Sequence, residues 1–333
     1  MEKKYKLTDE TIEFGGVKLY RIEALKDFGD VKKGDKGGFL QSEENLSQLG
    51  NCWIFDNAIV YGKAKVFGDA IIYCSAKVYD NANVFGDAKV FGCAEVYDNS
   101  KVFDNAKVYY YAKVFDNAKV FDNANVCDDA EVFNDARIYG SAKVYDNSKV
   151  FDNANVFDDA NVFGDAKVFG NTTVFDNANV CGDANLFGCA YVFGDAMIYG
   201  SAMIYGSAKV YDNAKVFGDA NVFGDAYVYG KAEVYDNAKV CGNVKVCGDT
   251  TIRGFANVSS YSDHIIFKNW WSSGRYFTWT RSDNMWSVGC FYGTGKELIE
   301  KAYKDSELSG REYQRVVKYV ESILRDENQN QTL

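Results

Sequence analysis

The sequence predicts an all-β solenoid, a parallel β-helix of stacked three-sided coils, and three observations carry that prediction. Every sixth residue from Ile54 to Val258 is Val, Ile or Leu, 35 positions in one frame without insertion or deletion. Phe or Tyr fills 29 of the 35 positions that directly follow those aliphatics. No proline occurs in the 333 residues.

The repeating unit reads Ala-x-Val-Phe/Tyr-Gly/Asp-Asp/Asn, as in Ala64-Lys65-Val66-Phe67-Gly68-Asp69. In extended backbone alternate side chains point to opposite sides, so Ala and Val share an inner face and x and Phe/Tyr an outer one. The two following residues are types that tolerate positive φ and close tight corners. A strand this short cannot bury its apolar face alone, so hexads must coil and stack. Three strands and three corners give an 18-residue coil, and 35 hexads give nearly twelve coils. Every strand is then central in a parallel ladder, where proline would delete a donor. Ser100, Ser148, Thr172 and Thr250 take the Ala slot as small substitutes.

These Val-x-x-x-Ala-x hexads resemble the hexapeptide-repeat proteins, and that resemblance implies a left-handed parallel β-helix. A second resemblance covers about 50 residues at the N-terminus. Asp27-Phe28-Gly29-Asp30-Val31, Gly34, Gly37-Gly38, Leu46-Ser47-Gln48 and Gly50-Asn51-Cys52-Trp53-Ile54-Phe55-Asp56 are similar to the start of the YdcK-like branch. Its members are mostly uncharacterised bacterial or phage-encoded proteins provisionally labelled acetyltransferases. The resemblance would imply acetyl-CoA as cofactor and a base on the prism.

Both ends of a stacked solenoid expose an apolar face and need caps. Residues 1–52 suit an N-terminal β cap, with Thr11–Phe14 and Val17–Ile22 alternating around Gly15-Gly16 as a hairpin. A Gly-rich connection leads from there into the β-helix of residues 53–258. Residues 259–333 read as a Trp-rich α+β domain. Three short strands are expected near His264–Phe267, Tyr276–Thr280 and Trp286–Cys290. Two helices follow, with capping boxes at Thr294…Glu297 and Ser309…Glu312, and a disordered tail after Asp326.

Composition narrows the function classes. The net charge is −10, and the repeat itself holds 27 acidic and 18 basic residues. That disfavours a phosphate-binding surface, which needs clustered Lys and Arg. No apolar run approaches a membrane span, and MEKKYKLTDETIEF is not a signal peptide, so the expected location is the cytoplasm of a bacterial cell or phage-infected host. The nine cysteines are irregularly spaced and read as free thiols. Cys127, Cys181, Cys241 and Cys247 stand in aromatic slots as small apolar substitutes.

Hexapeptide acyltransferases typically use a prism-face His beside a loop extruded from a corner. Here the only His is His264, past the last hexad, and no corner carries an insertion. His264 is therefore a weak catalytic candidate and reads better as a strand residue, and no metal site is expected. The many corner Asp residues sit in near-identical settings and read as turn formers, whereas catalysis needs carboxylates set apart by their surroundings.

The outer faces are more informative. Aromatics 18 residues apart should stack at about 4.8 Å into continuous ladders, and large exposed apolar stripes mark interfaces. Where the usual Lys or Asn is replaced by Tyr191, Met197, Met203 and Tyr227, the segment 187–230 is the expected patch, with Phe193, Tyr199, Tyr205 and Tyr229. Trp270, Trp271, Trp279 and Trp286 are interface candidates in the C-terminal domain. The leading reading is a non-enzymatic scaffold or binding protein, engaging a second copy or a protein partner. An acyltransferase is the alternative, and an acidic mimic inhibiting a DNA-binding enzyme is the third.

Overall fold

A computed structural model describes residues 2–330. The chain divides into two compact units, residues 1–207 and 208–333. Both are built from the same parallel β-solenoid turn, with 26 two-residue strands in the first unit and nine in the second, three to a turn, about 12 turns in all. The boundary between the units lies within the repeat.

In the first unit each strand pairs in register with the strand 18 residues away, as Lys101 and Val102 do with Lys119 and Val120. Backbone bonds join the coils, for example Phe103 N–H to the Val120 carbonyl at 3.0 Å. The inner Val and Ala columns are fully buried, as at Val84, Ala88 and Val90. The first corner residue lies in the left-handed region: Asp146 has φ 57° and Gly164 φ 69°. Asp and Gly fill most of these corners because both reach that region at low cost, and Cys74, Tyr110 and Asn134 take the same conformation.

Asp has a second reason to be at the corner. Its carboxylate accepts the corner N–H of the next coil, as in Gly140 N–H to Asp122 Oδ2 at 3.2 Å and Gly164 N–H to Asp146 Oδ2 at 3.1 Å. Buried hydroxyls in the Ala slot are satisfied locally: Ser100, Ser148 and Thr172 each donate to the carbonyl three residues back at 2.7 Å. Outward Asn side chains donate to the carbonyl two residues back, as Asn83 does to Asn81 at 3.0 Å.

The N-terminal hairpin forms as expected, and its first strand is longer. Tyr5–Phe14 pairs antiparallel with Val17–Ala24 around Gly15 and Gly16, both at positive φ. The Gly-rich connection is in fact a third strand, Lys36–Leu40, antiparallel to the second and parallel to Ile59–Val60. Its glycines are needed because a Cβ on Gly38 would overlap the Ala58 carbonyl oxygen.

In the second unit the strands from Lys209–Val210 to Asn257–Val258 repeat the same pairing. The following residues form a four-stranded antiparallel sheet: His264–Lys268, Tyr276–Thr280, Met285–Val288 and Phe291–Gly293. Three strands match the expectation and the fourth adds an edge. One sheet face carries Phe277, Trp279 and Trp286, which pack with Leu298, Tyr313, Val317 and Val320 of two helices. The other face meets the last coils, where Thr251 N–H donates to Thr278 Oγ1 at 3.4 Å and Asn257 N–H to Ser282 Oγ at 2.7 Å.

The first helix, Gly295–Asp305, has the expected capping box at Thr294 and Glu297. The second starts earlier than expected, at Glu307, and runs to Asn330. Ser309 and Glu312 lie inside it. Ser306 does the capping: its N–H bonds the Ala302 carbonyl to close the first helix, and its Oγ accepts Ser309 N–H at 3.1 Å. The segment after Asp326 is helical through Asn330, where Glu327 binds Arg281 at 2.5 Å, and residues 331–333 lie outside the described residues.

Candidate functional site

The outer faces of the first unit are built from two columns per sheet. The aromatic column stacks ring on ring, with centroids 4.9 Å apart and planes 1° apart for Tyr97 and Phe115. Cys127 interrupts one ladder. It is buried, its Sγ meets Asp128 Oδ2 at 3.3 Å, and burial pushes the thiol up to about 11. A thiol held protonated in this way is an apolar filler and not a nucleophile.

The expected patch at 187–230 does not exist as one surface. Tyr191 and Phe193 belong to one sheet, Met197 and Tyr199 to a second, and Met203 and Tyr205 to a third. Residues six apart lie on different faces, and only residues 18 apart share one. Tyr191, Met197 and Met203 are each exposed, at 41%, 41% and 36%, but they point three ways. In the second unit Tyr227 and Tyr229 lie on one face, with Lys209 and Lys245 ammonium groups 5.3 and 5.7 Å from the Tyr227 ring centroid.

The Trp candidates separate by burial. Trp279 and Trp286 are interior residues of the sheet–helix core, so neither offers an interface. Trp271 is half-buried, edge-on to Tyr313 at 4.9 Å. Trp270 alone among the four is exposed, at 72%. Hydrophobic packing of a small sheet against two helices needed these large side chains inside.

His264 opens the first strand of the C-terminal sheet and pairs with Thr280. Its ring is buried, Nδ1 makes no hydrogen bond among the described residues, and burial lowers its pKa from 6.5. Among the described residues no carboxylate hydrogen-bonds the imidazole, and Asp263 acts on it through charge alone, so it lacks the base–orienter arrangement a general base needs.

Three arrangements were not singled out from the sequence. First, one face of the first unit carries an ionic ladder, Lys77, Glu95, Lys113, Glu131 and Lys149, stacked in register. Lys77 to Glu95 is 2.8 Å and Lys149 to Glu131 2.6 Å, while Lys113 to Glu131 is a looser 3.9 Å. Second, Lys4 is buried beneath the first coil. Its Nζ donates to the Cys52 carbonyl at 2.9 Å and approaches Cys52 Sγ at 3.3 Å. Burial lowers the amine and raises the thiol. Third, a groove of about 700 Å³ runs between Gly29–Val31 and the edge formed by Asn51, Asp69, Asp87 and Asn105, beside Lys89. No imidazole lines it.

The solenoid and its hexads fit a hexapeptide-repeat β-helix. No model of a known protein family matches the chain. The chain is 42% identical over 66 residues to the "Uncharacterized acetyltransferase YdcK" of Escherichia coli (strain K12). The match covers 17% of this chain and spans about a fifth of that protein's length. Among the described residues no helix is long and apolar enough to cross a membrane.

Proposed function

We propose that this chain is a left-handed hexapeptide-repeat protein of the YdcK-like branch whose work is binding, with its flat ladder-bearing faces as the contact surfaces. One observation carries the reading: the sole imidazole is buried at the start of the C-terminal sheet, while the outer columns present aromatic and charged groups at a regular spacing. Regular, flat, side-chain-rich faces suit a scaffold that engages another protein.

A second reading, acyl transfer, is favoured by the local match to a protein named as an acetyltransferase and by the groove beside Gly29–Val31. Titration calorimetry with acetyl-CoA separates the two. The binding reading expects no saturable heat at millimolar acetyl-CoA and no acetylation of a primary-amine acceptor. Saturable binding together with transfer, reduced by Lys89→Ala or His264→Asn, would replace it with the second.

A further inference from the structure

We propose that the outer edge of the strand His264–Lys268 docks an extended peptide, which adds antiparallel over Ile266–Lys268 as a further strand of the C-terminal sheet. The peptide it fits is apolar, with an acidic residue opposite Lys268. This surface lies in the second unit and does not depend on the ladder-bearing faces.

Unpaired backbone specifies the occupant. His264–Lys268 is the terminal strand of its sheet and pairs with Tyr276–Thr280 alone. Arg281 N–H donates to the Asp263 carbonyl at 2.8 Å, and Asn269 N–H donates to the Arg275 carbonyl at 2.8 Å. Hydrogen-bonded pairs alternate along an antiparallel ladder, so these two bonds place the odd-numbered residues on the side of Tyr276–Thr280. Ile266 and Lys268 turn their backbone groups the other way. Among the described residues the Ile266 N–H, the Ile266 carbonyl and the Lys268 N–H have no hydrogen-bond partner. The Lys268 carbonyl accepts Trp270 N–H at 2.9 Å. A donor and an acceptor on one residue, with a second donor two residues on, is the pattern that an extended backbone completes.

Side chains specify its character. Ile266 is 37% exposed on one side of the strand. On the other side Phe267 is half-buried, and the Tyr319 ring stands edge-on to it with centroids 6.5 Å apart. Tyr319 is itself 58% exposed. An added strand sets alternate residues against Ile266 on one side and against Phe267 and Tyr319 on the other, so it must be apolar on both. Lys268 is exposed, and its ammonium lies 5.6 Å from the Tyr276 ring centroid, drawn back over the sheet. A carboxylate opposite it makes a cross-strand pair of opposite charge.

The other terminal strands of the antiparallel pairs are guarded. Tyr5–Phe14 carries Lys6, Asp9, Glu10 and Glu13, and its register shifts between Leu7 and Thr11. Charges and irregular register both deter edge pairing. Phe291–Gly293 gives its Phe291 carbonyl to Arg253. The Ile265-Ile266-Phe267 run has neither device, and an exposed apolar edge is a template for another strand.

Fluorescence polarisation tests this, with the full chain titrated to hundreds of micromolar against acetyl-Glu-Val-Thr-Val-Thr-amide carrying a C-terminal fluorophore. Antiparallel addition sets the Glu opposite Lys268 and the central Thr opposite Ile266. Saturable binding is expected. N-methylation of the central Thr removes the donor to the Ile266 carbonyl and should weaken binding roughly tenfold or more. Ile266→Pro deletes an N–H that bonds nothing within the fold, so circular dichroism and the melting temperature should hold while binding falls to a similar degree. Lys268→Glu should weaken the probe and bind a version with Lys in place of Glu better than the wild type does. Absence of saturable binding by the wild type overturns the proposal. Equal binding of the N-methylated probe also overturns it, since apolar adhesion needs no backbone bonds; this comparison uses the wild type and decides the matter even if Ile266→Pro misfolds. Binding unchanged in a folded Ile266→Pro places the site elsewhere. A charge preference unchanged in Lys268→Glu removes the acidic position. A wild type that sediments as a dimer, and as a monomer after Ile266→Pro, replaces the peptide with a second copy.

Discussion

The guanidinium of Arg253 donates from Nη1 to the phenolic oxygen of Tyr235, 2.8 Å away and one coil earlier. Arg253 occupies a slot that elsewhere in its column is aromatic or Cys. Its Cζ lies 4.9 Å from the Tyr292 ring centroid, Nε donates to Ser287 Oγ at 3.3 Å, and Nη2 donates to the Phe291 carbonyl. One side chain thus ends an aromatic ladder and fixes the C-terminal sheet to the solenoid within the second unit. A fork of rigid donors serves three partners at once, which a lysine ammonium on a flexible stem could not.

Arg253→Ala should therefore cost about 2–4 kcal/mol in the anchoring of the sheet. Hydrogen exchange should show Phe291–Gly293 losing protection while strands before Lys209 keep theirs. Arg253→Lys should recover less than half of the loss. Unchanged exchange in Arg253→Ala would refute the anchoring role.

Corner carboxylates give a graded prediction. At Asp146 the side chain both tolerates φ 57° and accepts Gly164 N–H. Asp146→Ala loses both features and should destabilise by about 1–3 kcal/mol. Asp146→Gly loses only the bond and should cost less, although Gly is ordinarily the more destabilising substitution. Asp146→Asn should be the mildest. Urea midpoints in the order Asn, Gly, Ala would support this, and Ala above Gly would contradict it.

His264 sets a pH dependence in the C-terminal sheet. Burial lowers its folded pKa below 6.5, so the unfolded chain takes up a proton first as pH falls. The contribution of this group to stability is complete above 6.5 and declines below it, through the folded pKa. Thermal melts of the second unit's sheet, followed by Trp fluorescence between pH 8 and 5, should show this slope. His264→Leu should flatten it, since the ring makes no hydrogen bond at Nδ1 that the substitution would break.

Much of the solenoid was legible in the sequence because every hexad makes the same local choice, and consistent choices need no tertiary knowledge. The inward Val and Ala, the corner Asp and Gly and the aromatic ladders all follow from the pleat. The interface patch was misplaced by treating nearness in sequence as nearness on the surface. Tyr191, Met197 and Met203 follow one another at intervals of six, and the 18-residue coil sends them to three faces. The same period applied to the outward slot isolates Glu95 and Glu131 between lysines, so the ionic ladder was readable column by column. Other features were not. Trp279 and Trp286 resemble surface aromatics until two helices cover them, and Ser306 competes with Ser309 as a cap by geometry alone. Lys4 has nothing in its neighbourhood in sequence to mark it as buried, because the carbonyls that hold it come from Gly50 and Cys52.

The corner built from a single left-handed residue makes the first unit tolerant of changes in length, but only in quanta. Removing one coil, for instance residues 137–154, would bring Ala136 next to Asn155 and return every later column to its own face. Removing one hexad would also close without strain at the corner, since each hexad ends alike. Every later face would then be turned by a third of a revolution, and acids would stack against a different set of cations. Length in such a chain is set in steps of about 4.8 Å, and the identity of each face is conserved only by whole steps.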